Sequence, residues 1–243
     1  MRLSLLLFAL VASLAFAVNA GRWGLAFALG ASLVVAALAA AVPRWFARRR
    51  LHAIIASGDV RSLLRSWYRS AASLANPEVA IPLMIATAYA SFGWVAEARR
   101  ARSAIRGGAG PSREQLEFVD VLLEVYEGDR EAAVRRAEAL LDRDVPEGDG
   151  AFERRVRALR RGLVAIARAF AHRATEEDAR ALVAMREPVP ILTWPLRYAE
   201  AVVAIDAGDR ARAEAVLRAA PAWPENSVFR EFHAELDALV GGR

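Results

Sequence analysis

The chain has 243 residues, a formal net charge of +5, 56% apolar residues and no cysteine. The missing cysteines exclude disulfides, thiol nucleophiles and cysteine metal sites. The charge is unevenly spread: residues 1–50 hold six arginines and no acid, so residues 51–243 carry 27 basic groups against 28 acidic ones and lack the basic surplus of a phosphate-binding domain.

Two apolar runs open the chain, Leu3–Val18 and Gly24–Val42, separated by Asn19-Ala20-Gly21-Arg22-Trp23. A spanning helix needs about 20 apolar residues. The runs are therefore expected to form a transmembrane hairpin, with spans near 3–18 and 24–42. Gly24, Ala28, Ser32, Ala36 and Ala40 recur every fourth residue, a small-residue face suited to close helix packing in lipid. Val18-Asn19-Ala20 before Gly21 also fits a cleavage site, so a secretory signal peptide is the alternative for the first run.

Arg44, Arg48, Arg49 and Arg50 follow the second run, with Trp23 and Trp45 at its two ends. Positive residues favour the cytoplasmic side, and indoles favour the interface. The expectation is an integral inner-membrane protein with two spans, an arginine collar and a cytoplasmic domain from residue 51 onward.

From Leu51 the pattern is helical, rich in alanine, leucine, arginine and glutamate. Turn signals recur at Gly58, Gly93 and Gly128, each 35 residues after the last, and again at Gly208. An intervening turn falls near Ala174, without a glycine. The Pro/Gly/Asp-rich stretch Asp144–Phe152 takes up the extra length. A period of 34–35 residues predicts an α-solenoid of helix pairs. Alanine stands five residues after these turns at Ala98, Ala133, Ala179 and Ala213.

The stretch from Tyr89 to Ala98, with Phe92, Gly93 and Trp94 inside it, resembles the tetratricopeptide repeat. That motif places an aromatic near the end of its first helix, then glycine, then a small residue where two helices cross. The repeats are degenerate: the Trp-Leu-Gly signature of the first helix is absent, and Glu117, Asp120 and Glu124 stand where the family has core residues. The resemblance implies an all-α protein-binding array. The amphipathic stretch Glu225–Val240 is the expected capping helix. The layout is similar to bacterial inner-membrane tetratricopeptide proteins.

No catalytic pattern is present. His52, His172 and His233 are far apart, without metal-ligand spacing. Gly107-Gly108-Ala109-Gly110 lacks the lysine and preceding strand of a phosphate loop. No cofactor, small-molecule substrate or nucleic acid is expected. Two charged stripes remain as partner-binding candidates: Glu117, Asp120 and Glu124, extended by Glu127, and Arg154, Arg157, Arg161 and Arg168. Solvated or mutually paired charge faces are the more ordinary explanation of them. The expected function is a membrane-anchored adaptor or scaffold, not an enzyme. The alternative is a structural subunit of a membrane or envelope complex, its hairpin packed against other transmembrane helices.

Overall fold

The computed structural model describes residues 25–71, 76–105, 111–145, 150–186 and 189–242, with Val11 and Val18. Among them are eleven α-helices, one 3-10 turn and no strand. The chain divides into two compact units, residues 1–53 and 54–243.

Helix α1 (Leu25–Ala56) is 32 residues long. The second apolar run is not a separate element. It is the first half of α1, which continues through Pro43 and Arg44 into Arg48–Arg50 and on to Ala56. Arg49 sits over the Trp45 ring at 4.5 Å, and Trp45 meets Phe46 edge-on at 4.9 Å.

Among the described residues, no helix is long and apolar enough to cross a membrane. This corrects the expected two-span hairpin, the integral attachment and the inner-membrane placement. Alanine, leucine and arginine are all good helix formers, so the helix has no cause to end at the arginines. Trp23, the Arg44 side chain and all of the first run except Val11 and Val18 lie outside the described residues.

In residues 54–243 the helices are α2 (Val60–Ala71), α3 (Pro77–Ser91), α4 (Val95–Ser103), α5 (Pro111–Tyr126) and α6 (Arg130–Leu141), then α7 (Gly150–Phe170) and α8 (Glu176–Ala184). The 3-10 turn Pro190–Leu192 leads into α9 (Thr193–Asp206), followed by α10 (Arg210–Arg218) and α11 (Val228–Gly241). Helices α3, α5, α7 and α9 form a continuous row, each packed on the next. Helices α4, α6 and α8 each pack between two members of that row, and α10 packs on α9. The result is an all-α array of helix pairs, compatible with a helical-repeat solenoid.

The turns explain the spacing. Gly93 has φ 71°; its N–H donates to the Ala90 carbonyl (3.1 Å), and the Trp94 N–H donates to the Tyr89 carbonyl (2.9 Å). This is a Schellman helix end, which needs a left-handed residue at the glycine position. Gly208 repeats it at φ 75°, with Asp209 N–H bonded to the Ala204 carbonyl at 2.8 Å. His172 holds the glycine-less turn at φ 56°, with Arg173 N–H on the Arg168 carbonyl at 2.8 Å.

The next helix is then capped. The Asp59, Asp129 and Asp209 carboxylates accept from the N–H groups of Ser62, Ala132 and Arg212. Thr175 and Asp178 form a capping box for α8. Asp59 is held below the usual carboxylate range, chiefly by its hydrogen bonds from Ser62. Four residues past the cap, Ala98, Ala133 and Ala213 are fully buried, where a larger side chain would force the helices apart.

The carboxyl-terminal segment reaches far back along the array. The Val228 N–H donates to the Gly93 carbonyl (2.9 Å), and the Ser227 hydroxyl donates to the Phe92 carbonyl (2.7 Å). The Trp194 indole N–H donates to the Ile55 carbonyl (2.7 Å), and the Trp223 indole N–H donates to the Tyr198 hydroxyl (2.7 Å). The helix expected at Glu225–Val240 is α11. It packs on α9 and α10, and its first turn also seats on the Gly93 turn.

This closure separates two glycines that the sequence makes equivalent. A Cβ on Gly93 would stand 2.9 Å from Val228 Cγ1 and 3.0 Å from Ser227 Oγ, whereas Gly128 has nothing within 4 Å. Gly128→Ala should cost only the left-handed strain, roughly 1–2 kcal/mol. Gly93→Ala should add overpacking of about 1–3 kcal/mol. Denaturant titration of both variants checks this; equal losses would show that the carboxyl-terminal segment does not press on Gly93.

Candidate functional site

The acidic stripe on α5 is occupied by neighbouring helices. Arg136 of α6 bonds to both Glu117 (3.0 Å) and Glu124 (2.8 Å). Arg143 reaches Glu117 at 3.3 Å. Arg102 of α4 holds Asp120 through two bonds of 3.0 and 2.9 Å, and Arg99 pairs with Glu127. Burial pushes the Glu117 carboxyl up, but the Arg136 hydrogen bond and the charges of Arg143 and Arg136 bring it below the ordinary range. The Arg136 guanidinium is held well above its ordinary value, first by its bond to Glu124. The stripe thus joins α5 to the helices on either side, and its carboxylates already have cations.

The arginines of α7 divide. Arg157 pairs along its own helix with Glu153 at 2.9 Å. Arg168 joins Glu138 at 2.8 Å and Asp178 at 3.5 Å. Arg154 and Arg161 are exposed.

The stripe omits the arginine that is most buried. Arg160 is 1% exposed. Its guanidinium takes both Glu114 carboxylate oxygens, at 3.1 and 2.6 Å, and the carbonyls of Arg143 (2.5 Å) and Asp144 (3.2 Å). Its signal was the helical phase: Leu163 and Ala167, three and seven residues on, are core.

His52 is half-buried. His172 Nδ1 lies 3.0 Å from both Asp206 carboxylate oxygens. His233 Nδ1 lies 3.3 Å from the Tyr198 hydroxyl, whose pKa burial pushes up despite the hydrogen bond from Trp223. Among the described residues no group of three or more acidic and histidine side chains could hold a metal ion. The glycine-rich stretch at 107–110 lies outside the described residues.

Two apolar concavities stand out on residues 54–243. One, of about 210 Å³, runs between α2 and α3 and is lined by Leu64, Trp67, Tyr68, Ile81, Met84 and Ile85, with Arg65 and Tyr89. The other, of about 240 Å³, is lined by Phe118, Phe152, Val156, Leu159, Val189 and Ile191, with Thr87, Glu114 and Gln115 at its polar side. A third hollow, of about 350 Å³, has a mixed lining that includes His172, Thr175, Asp206 and Arg212.

The α2–α3 groove has a simple origin. Ile81, Met84, Ile85 and Tyr89 share one face of α3, at spacings of three, four and four residues. Leu64, Trp67 and Tyr68 form the facing stripe on α2. Helix α3 is apolar nearly all round, the mark of a helix with neighbours on every side. Yet Ile81, Met84 and Ile85 are only half-buried, and Tyr68 is 65% exposed. Of these residues only Tyr89 was singled out from the sequence, and the groove was missed, because burial depends on what covers a face.

No family model, curated protein or solved structure matches this chain.

Proposed function

We propose that this chain is a non-enzymatic adaptor or scaffold whose helical array binds a protein partner. In this reading its helix pairs pack in the tetratricopeptide manner. The 35-residue spacing of Gly58, Gly93 and Gly128 and the buried alanines four residues after the caps support that packing.

The observation that carries the function is the α2–α3 groove. Aromatic and aliphatic side chains stand half-covered in two parallel stripes, the form that receives an apolar helix face. Tyrosine and tryptophan are favoured anchors at such surfaces. The charged stripes are a poorer candidate, because most of their members already hold partners within the array.

A photo-crosslinking residue at Tyr68 tests this, with Phe152 as a second site and exposed Leu239 as the control. In the full chain, expressed in its own cells, a discrete crosslinked protein should form at Tyr68 and not at Leu239. Identical patterns at all three positions would overturn the reading.

A further inference from the structure

We infer that the α2–α3 groove takes an acidic amphipathic helix: a partner segment with apolar side chains at helical spacing, flanked by Asp and Glu. The inference rests on the protein-binding reading above and specifies the partner's chemistry.

Helix α2 carries Arg61, Arg65 and Arg69 and no acid; α3 contributes a single acid, Glu78, at its exposed first turn. Asp59 at the start of α2 accepts from Ser62 and also attracts Arg65, so Arg61 and Arg65 share one nearby acid. Arg65 lines the groove itself, its Nε toward the Arg61 carbonyl and its Nη2 toward Ser62. The groove is therefore an apolar floor with a basic edge.

That edge selects among occupants. The chain's own first fifty residues hold six arginines and no acid, so they offer that edge no opposite charge. A second copy using the same face would bring Arg61 and Arg65 against their counterparts. A partner with acidic flanks meets the arginines with opposite charge while its apolar face fills the floor. Its contacts would come from residues at i, i+3 or i+4, and i+7, matching Ile81, Ile85 and Tyr89 along α3.

The test uses two helix-stabilised synthetic peptides with the same leucine and tryptophan face, one with glutamate and one with lysine on its polar face. Their binding to the full chain is read by fluorescence anisotropy. The glutamate peptide should bind about tenfold or more tightly than the lysine peptide, with the preference shrinking in high salt. Tyr68→Ala should weaken it by about tenfold, as expected for an aromatic anchor. The position is exposed enough for the fold to survive, which circular dichroism verifies. Arg61→Glu with Arg65→Glu should erase or reverse the preference.

Equal binding of both peptides, or binding indifferent to Tyr68→Ala, overturns the inference. So does self-association that Tyr68→Ala abolishes, or binding of phosphatidylglycerol vesicles through the same residues. If neither peptide binds while Tyr68 still crosslinks to a discrete protein, the acidic-partner inference falls and the protein-binding reading stands.

Discussion

Glu114→Ala should lower the unfolding free energy by about 3–5 kcal/mol, the usual loss when one member of a buried ion pair is removed. Arg160 is 1% exposed, and Glu114 supplies the only carboxylate among its four hydrogen-bond contacts. Without Glu114 the guanidinium keeps only the carbonyls of Arg143 and Asp144, too little to offset the loss of water around a full charge. The damage should spread, because the pair ties α5 to α7 and to the chain leaving α6.

Glu114→Gln should lose less, since the amide oxygen still accepts one bond. The double variant Glu114→Leu with Arg160→Met should recover much of the stability, because removing both charges also removes the desolvation cost. Denaturant titrations of the parent, the Glu114→Leu and Arg160→Met single variants and the double variant close the cycle. A single Glu114→Ala variant as stable as the parent would show that Arg160 reaches water.

Arg160 also shows where the sequence is hard to read. Val156, Arg160, Leu163 and Ala167 follow one helical stripe, so its phase was visible, but Arg160 was assigned neither to the charged stripe nor to the core. A buried arginine announces itself only through its partner, and Glu114 lies 46 residues away.

The helix pairs were legible for the opposite reason: their signals are local. Glycine followed by aspartate at 58, 128 and 208 encodes a left-handed helix end and the next cap within two residues. At the turn without glycine, histidine takes the left-handed position. Its side chain lies against Asp206 from the next turn, and nothing in the local sequence advertises that pairing.

The apolar beginning was misread as a separate membrane element because its residues favour helix and lipid alike. From Leu25 the second run continues without a break through Arg48 as part of the longer helix α1. The α2–α3 groove was equally hard to foresee. Its residues carry the pattern of a core, and only the arrangement of neighbouring helices leaves them half-covered.

Phe229→Ala should cost about 3–5 kcal/mol, the range for a fully buried aromatic cut to alanine. Phe229 stacks on Tyr198 at 4.8 Å, meets Tyr126 edge-on at 5.4 Å and lies 5.0 Å from Trp223. Its ring also covers Gly93, where a Cβ would stand 3.2 Å from it. One side chain thus touches α5, α9, the turn after α3 and the segment leading into α11.

In an open linear array a terminal helix stabilises only its neighbours, so loosening it leaves distant pairs unchanged. Closure onto Gly93 changes that expectation. The bond from Val228 N–H to the Gly93 carbonyl depends on α11 staying seated, and the Ser227 hydroxyl holds the Phe92 carbonyl beside it. Hydrogen exchange in Phe229→Ala should therefore speed up at the end of α3, around residues 89–94, as well as in α11. The start of α6 at Arg130, beyond the open Gly128 turn, should change less. If exchange rises in α11 alone, the carboxyl-terminal segment is a simple cap, and the aromatic cluster does not couple the two ends of the array.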